Sequence, residues 1–382
     1  MRTAKRPILL LVFIVATVSA GGIALGENKT VSRRTDIHLF GGDLSPDAPL
    51  ASWYHRLGIT DVWLYPLKGA FPQDQRSDTQ RTVEQLEHDG VLAAYQHNAI
   101  RYWWFERPVP DYAYETEKRR NAPGIQLWDN APETQDFWRG VCESATVIYA
   151  QARSAGFEGL VFDGEAYYSY KGDESGKTKP WVWGGHGDQY GLQGNYYKRG
   201  RQVGEAIQSV WPGAKIVMVY AFGYPGERWW YQGFKDAGLE LFLGAEHTYG
   251  AGPAKPGGQW YQSWWLGKKT KATCDWKRTQ FPFIHDNQHV IAGVAPIDFG
   301  AHTPNYRAQD FREQVDSAAN GDPAGPIPVW IWPGGPFSPQ SWKETDFADG
   351  NAAQDYIRVL HDYSRAFDPA KAQPTGKAPD RR

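Results

Sequence analysis

Eight times along the chain, a short apolar run is followed by a longer stretch with helical spacing. The apolar runs fall at residues 36–41, 61–65, 92–97, 159–165, 215–221, 239–246, 290–298 and 328–332. Each has the length and composition of one buried strand. The helical stretches fall at 46–57, 79–89, 132–155, 195–210, 227–237, 259–279, 305–319 and 351–367. Strands that each lead into a helix must pair in parallel, because the helix carries the chain back to the starting edge. The pattern therefore predicts an α/β fold, a single (β/α)8 TIM barrel. An open doubly wound sheet would also use such units, but no Gly-x-Gly-x-x-Gly phosphate loop follows the first run.

Connection lengths point the same way. Helix-to-strand links are brief, as in Leu57-Gly58-Ile59-Thr60, Ala155-Gly156-Phe157-Glu158 and Trp211-Pro212-Gly213-Ala214. Two strand-to-helix loops are long, at 99–130 and 166–194, and both are rich in Trp, Tyr, Gly and charge. Loops of that length inside a domain are usually functional. In a barrel they gather at the end where the strands finish, which is the end that carries active sites. Residues 1–26 read as a signal segment: Arg2, Lys5 and Arg6 precede an apolar stretch, and Val18-Ser19-Ala20 offers a cleavage site. The expected organisation is a signal at 1–26, a barrel at 27–369 and a disordered tail at 370–382. The expected location is secreted or periplasmic, with no membrane contact beyond export and with a monomer as the working form.

Charge excludes one class of partner. The chain has 41 Lys and Arg against 43 Asp and Glu, so no basic surplus exists to neutralise a phosphate backbone. Nucleic acid is not expected. The cysteines, Cys142 and Cys274, lie in predicted helices with no CxxC neighbour and read as buried thiols. The 18 Trp, 21 Tyr and 17 Phe are more than core packing needs. Trp103, Trp104, Trp128, Trp181 and Trp183 fall in predicted loops, where flat aromatic faces can stack on the C–H faces of sugar rings. The expected partner is a carbohydrate.

The fourth apolar run carries the sharpest chemical signal. It reads Gly156-Phe157-Glu158-Gly159-Leu160-Val161-Phe162-Asp163-Gly164-Glu165. Residues at i and i+2 of a strand share a face, about 6.6 Å apart along it. Two carboxyls so placed on a poorly hydrated face resist double ionisation, so one should hold a proton near neutral pH. Glycoside cleavage needs that pairing: an acid for the leaving oxygen and a negative partner for the cationic transition state.

This stretch resembles the strand-four signature of chitinase-type (family 18) glycoside hydrolases, Gly-Phe-Asp-Gly-x-Asp-x-Asp-x-Glu. Phe157, Gly159, Asp163 and Glu165 occupy matching positions. The resemblance implies that Glu165 is the general acid and that Asp163 orients the substrate's 2-acetamido group. Two positions depart from it, Glu158 for the first Asp and Val161 for the second, and the family's Tyr-Asp on strand six is not visible. Trp332 matches the family's strand-eight Trp.

Other polar and aromatic groups fall at predicted strand ends. Glu246, in Ala245-Glu246-His247, is a candidate second catalytic carboxylate, which would make Asp163 a nucleophile. His38, Tyr65, the triplet Gln96-His97-Asn98, Tyr220, His247 and Asp298 are candidate binders of sugar hydroxyls, with His97 and Asn98 preferred within the triplet. Trp332 is a candidate subsite floor, and Trp330, on the same strand face, a candidate filler of the barrel interior. No HExxH or GxSxG motif occurs, and neither a metal nor a cofactor is expected. A sugar-binding barrel without catalysis and a metal-dependent amidase or deacetylase are the competing functions.

Overall fold

A computed structural model describes residues 33–43, 54–65, 76–98, 130, 132–164, 193–219, 221, 225–245, 270–294, 308–331 and 352–367. Eight parallel strands close into a barrel in chain order. They are β1 Ile37–Asp43, β2 Asp61–Tyr65, β3 Leu92–Asn98, β4 Gly159–Asp163, β5 Lys215–Val219, β6 Glu240–Ala245, β7 Val290–Val294 and β8 Val329–Ile331. The circle closes by pairing of β1 with β8. Residues 54–57 are helical. The full helices among the described residues are α1 Arg76–His88, α2 Pro132–Ser154, α3 Gln193–Val210, α4 Pro225–Asp236, α5 Thr270–Gln280, α6 Ala308–Asn320 and α7 Ala352–Tyr363.

The α/β barrel expected from the alternation is present. Ends of elements differ from the sequence reading. β4 stops at Asp163 rather than 165, and residue 221, the expected end of β5, lies outside the strand. A strand ends where ladder pairing ends, whereas an apolar run can continue past that point. The signal segment at 1–26, the tail at 370–382 and, apart from residues 130, 193 and 194, both long loops lie outside the described residues. No described helix is long and apolar enough to cross a membrane.

Two cores separate on strand alternation. One set, Trp63, Ala94, Val161, Val217, Val219, Ile291 and Trp330, fills the barrel interior with Phe40 and Phe242 against it. The interleaved residues, such as Tyr95, Leu160, Phe162, Ile216 and Met218, face the helices. Phe162 shows how a strand is held. Its ring meets Phe234 at 5.4 Å, Tyr231 at 6.0 Å and Trp230 at 6.4 Å, all on α4. Such aromatic clusters add packing and edge-to-face attraction to burial. The α2–β4 link uses a glycine in the left-handed region, Gly156 with φ 90°. There the Phe157 N–H reaches the Ala152 carbonyl at 3.3 Å, closing the helix and releasing the strand.

A polar knot fixes the start of β7. The Asn287 amide donates to Asp322 Oδ2 at 2.6 Å and to Asp275 Oδ1 at 3.1 Å. Burial alone would raise the Asp322 pKa, yet the Asn287 amide and the Ala324 N–H hold it below its ordinary 3.8. A depressed folded pKa stabilises above the unfolded value and is lost as pH falls through the folded one. Asn287→Ala is therefore expected to lower stability at pH 7 by about 1–3 kcal/mol. The gap between variant and wild type should shrink in urea titrations taken below pH 3.8; an undiminished gap there would refute the assignment.

Cys142 on α2 is half-buried, Cys274 on α5 is buried, and both are free thiols. Burial pushes the Cys142 thiol up to about 11 and raises Cys274 further. Only thiolates react readily. Both cysteines are expected to resist a thiol reagent at pH 8 in the native protein and to titrate fully in denaturant. Rapid native labelling of Cys274 would contradict this packing.

Candidate active site

Asp163 is the last residue of β4. It alternates with Gly159 and Val161, and Val161 belongs to the barrel-interior set. Phe162, wedged among the α4 aromatics, holds the opposite face of the strand outward. Asp163 is thereby turned inward at the end where strands finish, and it is only 7 % exposed. Its neighbours in register are Asn98 on β3 and Val219 on β5.

Beneath it the interior is apolar. Trp63 and Trp330 lie 5.4 Å apart, and Phe40 lies 5.4 Å from Trp330. Trp330 is fully buried there, so it fills the interior. A carboxylate just above such a floor is poorly hydrated. Its charge is worth more to a developing positive centre than it would be in water.

Gln96 is the group that the preference for His97 and Asn98 passed over. It alternates with the interior residue Ala94, is 3 % exposed and pairs in register with Val161. Its Oε1 is buried with no hydrogen-bond partner among the described residues. Counting two residues on from Ala94 along the strand would have found it. His97 instead takes the register position of Phe162.

Tyr65 and Asn98 end β2 and β3, and Asn98 pairs directly with Asp163. The strand-end register thus brings residues 65, 98 and 163 to one end of the barrel. His38 does not join them, and its expected role at the sugar-binding mouth is corrected. It is the second residue of β1 and pairs with Asp61, the first of β2. Its Nδ1 lies 3.3 Å from Asp61 Oδ2 at the opposite, strand-start end. The apolar run holding His38 pointed to a strand, but the residue lies at its beginning, and side chains there cannot reach the other mouth. Glu165, Tyr220, Glu246, His247, Asp298 and Trp332 lie outside the described residues. Among the described residues no group of three or more His, Cys, Asp or Glu is placed to hold a metal ion.

No protein-family model matches the chain. No curated protein matches it either. Several solved structures are similar in fold. An endo-beta-N-acetylglucosaminidase from Cordyceps militaris shares 10 % identity, covers 86 % of this chain and 90 % of its own, and gives a TM-score of 0.43. A GH18 chitinase from Pseudoalteromonas aurantia shares 11 %, covers 78 % and 93 %, and gives 0.43. A D-psicose 3-epimerase from Clostridium cellulolyticum H10 shares 10 %, covers 85 % and 95 %, and also gives 0.43. Hydrolases and an isomerase stand level, so these likenesses do not select a chemistry. The barrel is established by its own strand pairing.

Proposed function

We infer that the protein is a glycoside hydrolase that cleaves a polysaccharide or glycan with the carboxyl pair Asp163 and Glu165. The observation that carries this reading is the placement of Asp163: inward, 7 % exposed, at the strand-finishing end and above an aromatic floor. Burying a carboxylate is costly and persists where the charge has work to do. Glu165 follows two positions later in sequence and is assigned the acid that protonates the leaving oxygen. Asp163 is the nucleophile, or the group that orients a substrate acetamido. Glu246 is a candidate second carboxylate. Tyr65, Asn98, Tyr220, His247, Asp298 and Trp332 are candidate contacts to the sugar. The 1–26 segment supports action outside the cytoplasm.

One observation favours a second reading. Val161 is fully buried among the interior aromatics at a position where the resembling family carries an acid. A sugar-binding barrel that has lost catalysis would tolerate that change.

The deciding experiment incubates the purified protein with a panel of aryl glycosides and soluble glycans, with and without EDTA, and measures released reducing ends. Release unaffected by EDTA is expected. Glycan affinity without release would favour the binding barrel, and EDTA-sensitive release or deacetylation would favour metal-dependent amide chemistry. Proton NMR of the first-formed anomer would separate retention from inversion.

A further inference from the structure

One join in the barrel differs from the rest. Consecutive strands from β1 to β8 are each joined by the stretch of chain between them, whereas β8 and β1 are the last strand and the first and share no such link. Their seam pairs Ile37, His38 and Leu39 with Val329, Trp330 and Ile331. Bringing the two ends of a long chain together carries the largest closure cost in the ring. The seam also runs under the candidate site. Phe40 of β1 and Trp330 of β8 meet across it at 5.4 Å, and both belong to the apolar interior beneath Asp163.

The chain returns to this seam after α7. Residues 363–367 lie against the lead-in to β1. The Thr35 N–H donates to the Tyr363 carbonyl at 2.8 Å and the Arg365 N–H to the Thr35 carbonyl at 2.9 Å, so Thr35 and Ser364 form a parallel bridge. Both residues are fully buried. The Thr35 hydroxyl donates to the Ile327 carbonyl, just before β8, at 2.9 Å. The Ser364 hydroxyl donates to the Gly58 carbonyl, just before β2. The approach there is close, since a Cβ added to Gly58 would stand 2.9 Å from Ser364 Cβ. Arg34 donates to the carbonyls of Ser364 and Phe367, and Arg365 pairs with Asp36 at 3.2 Å. Leaving a buried partner of such a bond unmet is costly, whereas the exposed Arg365 pair adds little.

We propose that residues 363–367 are a strap that holds the β1–β8 seam shut, and that the seam opens as a unit when the strap releases, drawing Phe40 away from Trp330. Thr35 and Ser364 together tie the approaches to β1, β2 and β8. They supply from the end of the chain the hold that no connection between β8 and β1 supplies. A device at the strand-start end thereby governs the floor of the opposite mouth, and it does not depend on the glycosidase reading.

Hydrogen exchange of the full chain, read by mass spectrometry, separates a seam that opens by itself from a barrel that opens only as a whole. Thr35→Val keeps the shape of the side chain and removes the bond to Ile327; it is expected to speed exchange in β1 and β8 by about tenfold. Ser364→Ala, which removes the bond to Gly58, should do the same and carries the test if Thr35→Val folds poorly. Phe234→Leu supplies the contrast. It loosens the packing of α4 on Phe162, across the ring from the seam. It should speed exchange in β4 and β5 by about tenfold and leave β1 and β8 within about twofold of wild type, because an open seam keeps that packing. Wild-type exchange of β1 and β8 in the strap variants, or equal acceleration of all four strands by Phe234→Leu, would overturn the proposal.

Discussion

Glu165→Gln and Asp163→Asn are each expected to lower kcat on a natural glycan by about 10³-fold, from the known scale of acid–base and electrostatic contributions. Both substitutions keep shape and remove a charge or a transferable proton. The two losses should differ in kind. A good leaving group needs little protonation, so Glu165→Gln should recover most activity on a dinitrophenyl glycoside. Asp163→Asn should stay impaired on that substrate, because the positive transition state needs its negative partner whatever group departs. Asp163→Asn keeps the shape of the side chain, so its melting temperature should stay within about 2 °C of wild type. Loss of activity that tracks a falling melting temperature would show a structural role instead. Full activity in Glu165→Gln would remove the acid assignment.

The barrel was legible because each strand is buried on both faces. A parallel strand under helices reads as a continuous apolar run, and eight such runs stand out against helical spacing. Strand ends were less legible. β4 pairs as far as Asp163 and Gly164 is already outside the strand, although the run reads on to 165, and sequence composition does not record where a ladder partner stops. The candidate site was legible through Asp163, whose inward turn follows from alternation with Val161. Alternation also points to Gln96, two residues on from Ala94 of the interior set. His38 lies in an apolar run, and the composition of a run does not say which of its ends meets the site. Its position second in β1 puts it at the mouth opposite Asp163. The strap at 363–367 had no sequence signal. Helical spacing reads on through it to 367, although α7 ends at Tyr363, and it joins residues as far apart in the chain as Arg34 and Ser364.

A close approach of two helices was equally silent in the sequence, and it sets the second large effect. Gly200 on α3 and Gly233 on α4 lie where the two helices cross. A Cβ on Gly233 would stand 2.4 Å from the Arg201 nitrogen and 2.5 Å from the Tyr197 carbonyl oxygen. A Cβ on Gly200 would stand 2.0 Å from the Trp230 carbonyl oxygen. These neighbours are backbone, which cannot swing aside as a side chain can. In a helix interior Gly→Ala ordinarily gains about 0.5–1 kcal/mol. Here the sign should reverse, with Gly233→Ala and Gly200→Ala each costing about 3 kcal/mol or more as the helices are forced apart. A melting temperature lower by roughly 4 °C or more is the corresponding shift for a domain of this size. Gly194, in the first turn of α3, supplies the control: it is exposed, and an added Cβ meets nothing within 4 Å. Gly194→Ala should leave the melting temperature unchanged or raise it slightly. The damage should also reach the site. Trp230 and Phe234 of α4 hold the Phe162 ring, and Phe162 turns Asp163 inward, so a displaced α4 should cost turnover even below the melting transition. A Gly233→Ala protein that melts within about 2 °C of wild type would mean that the helices do not cross at these glycines.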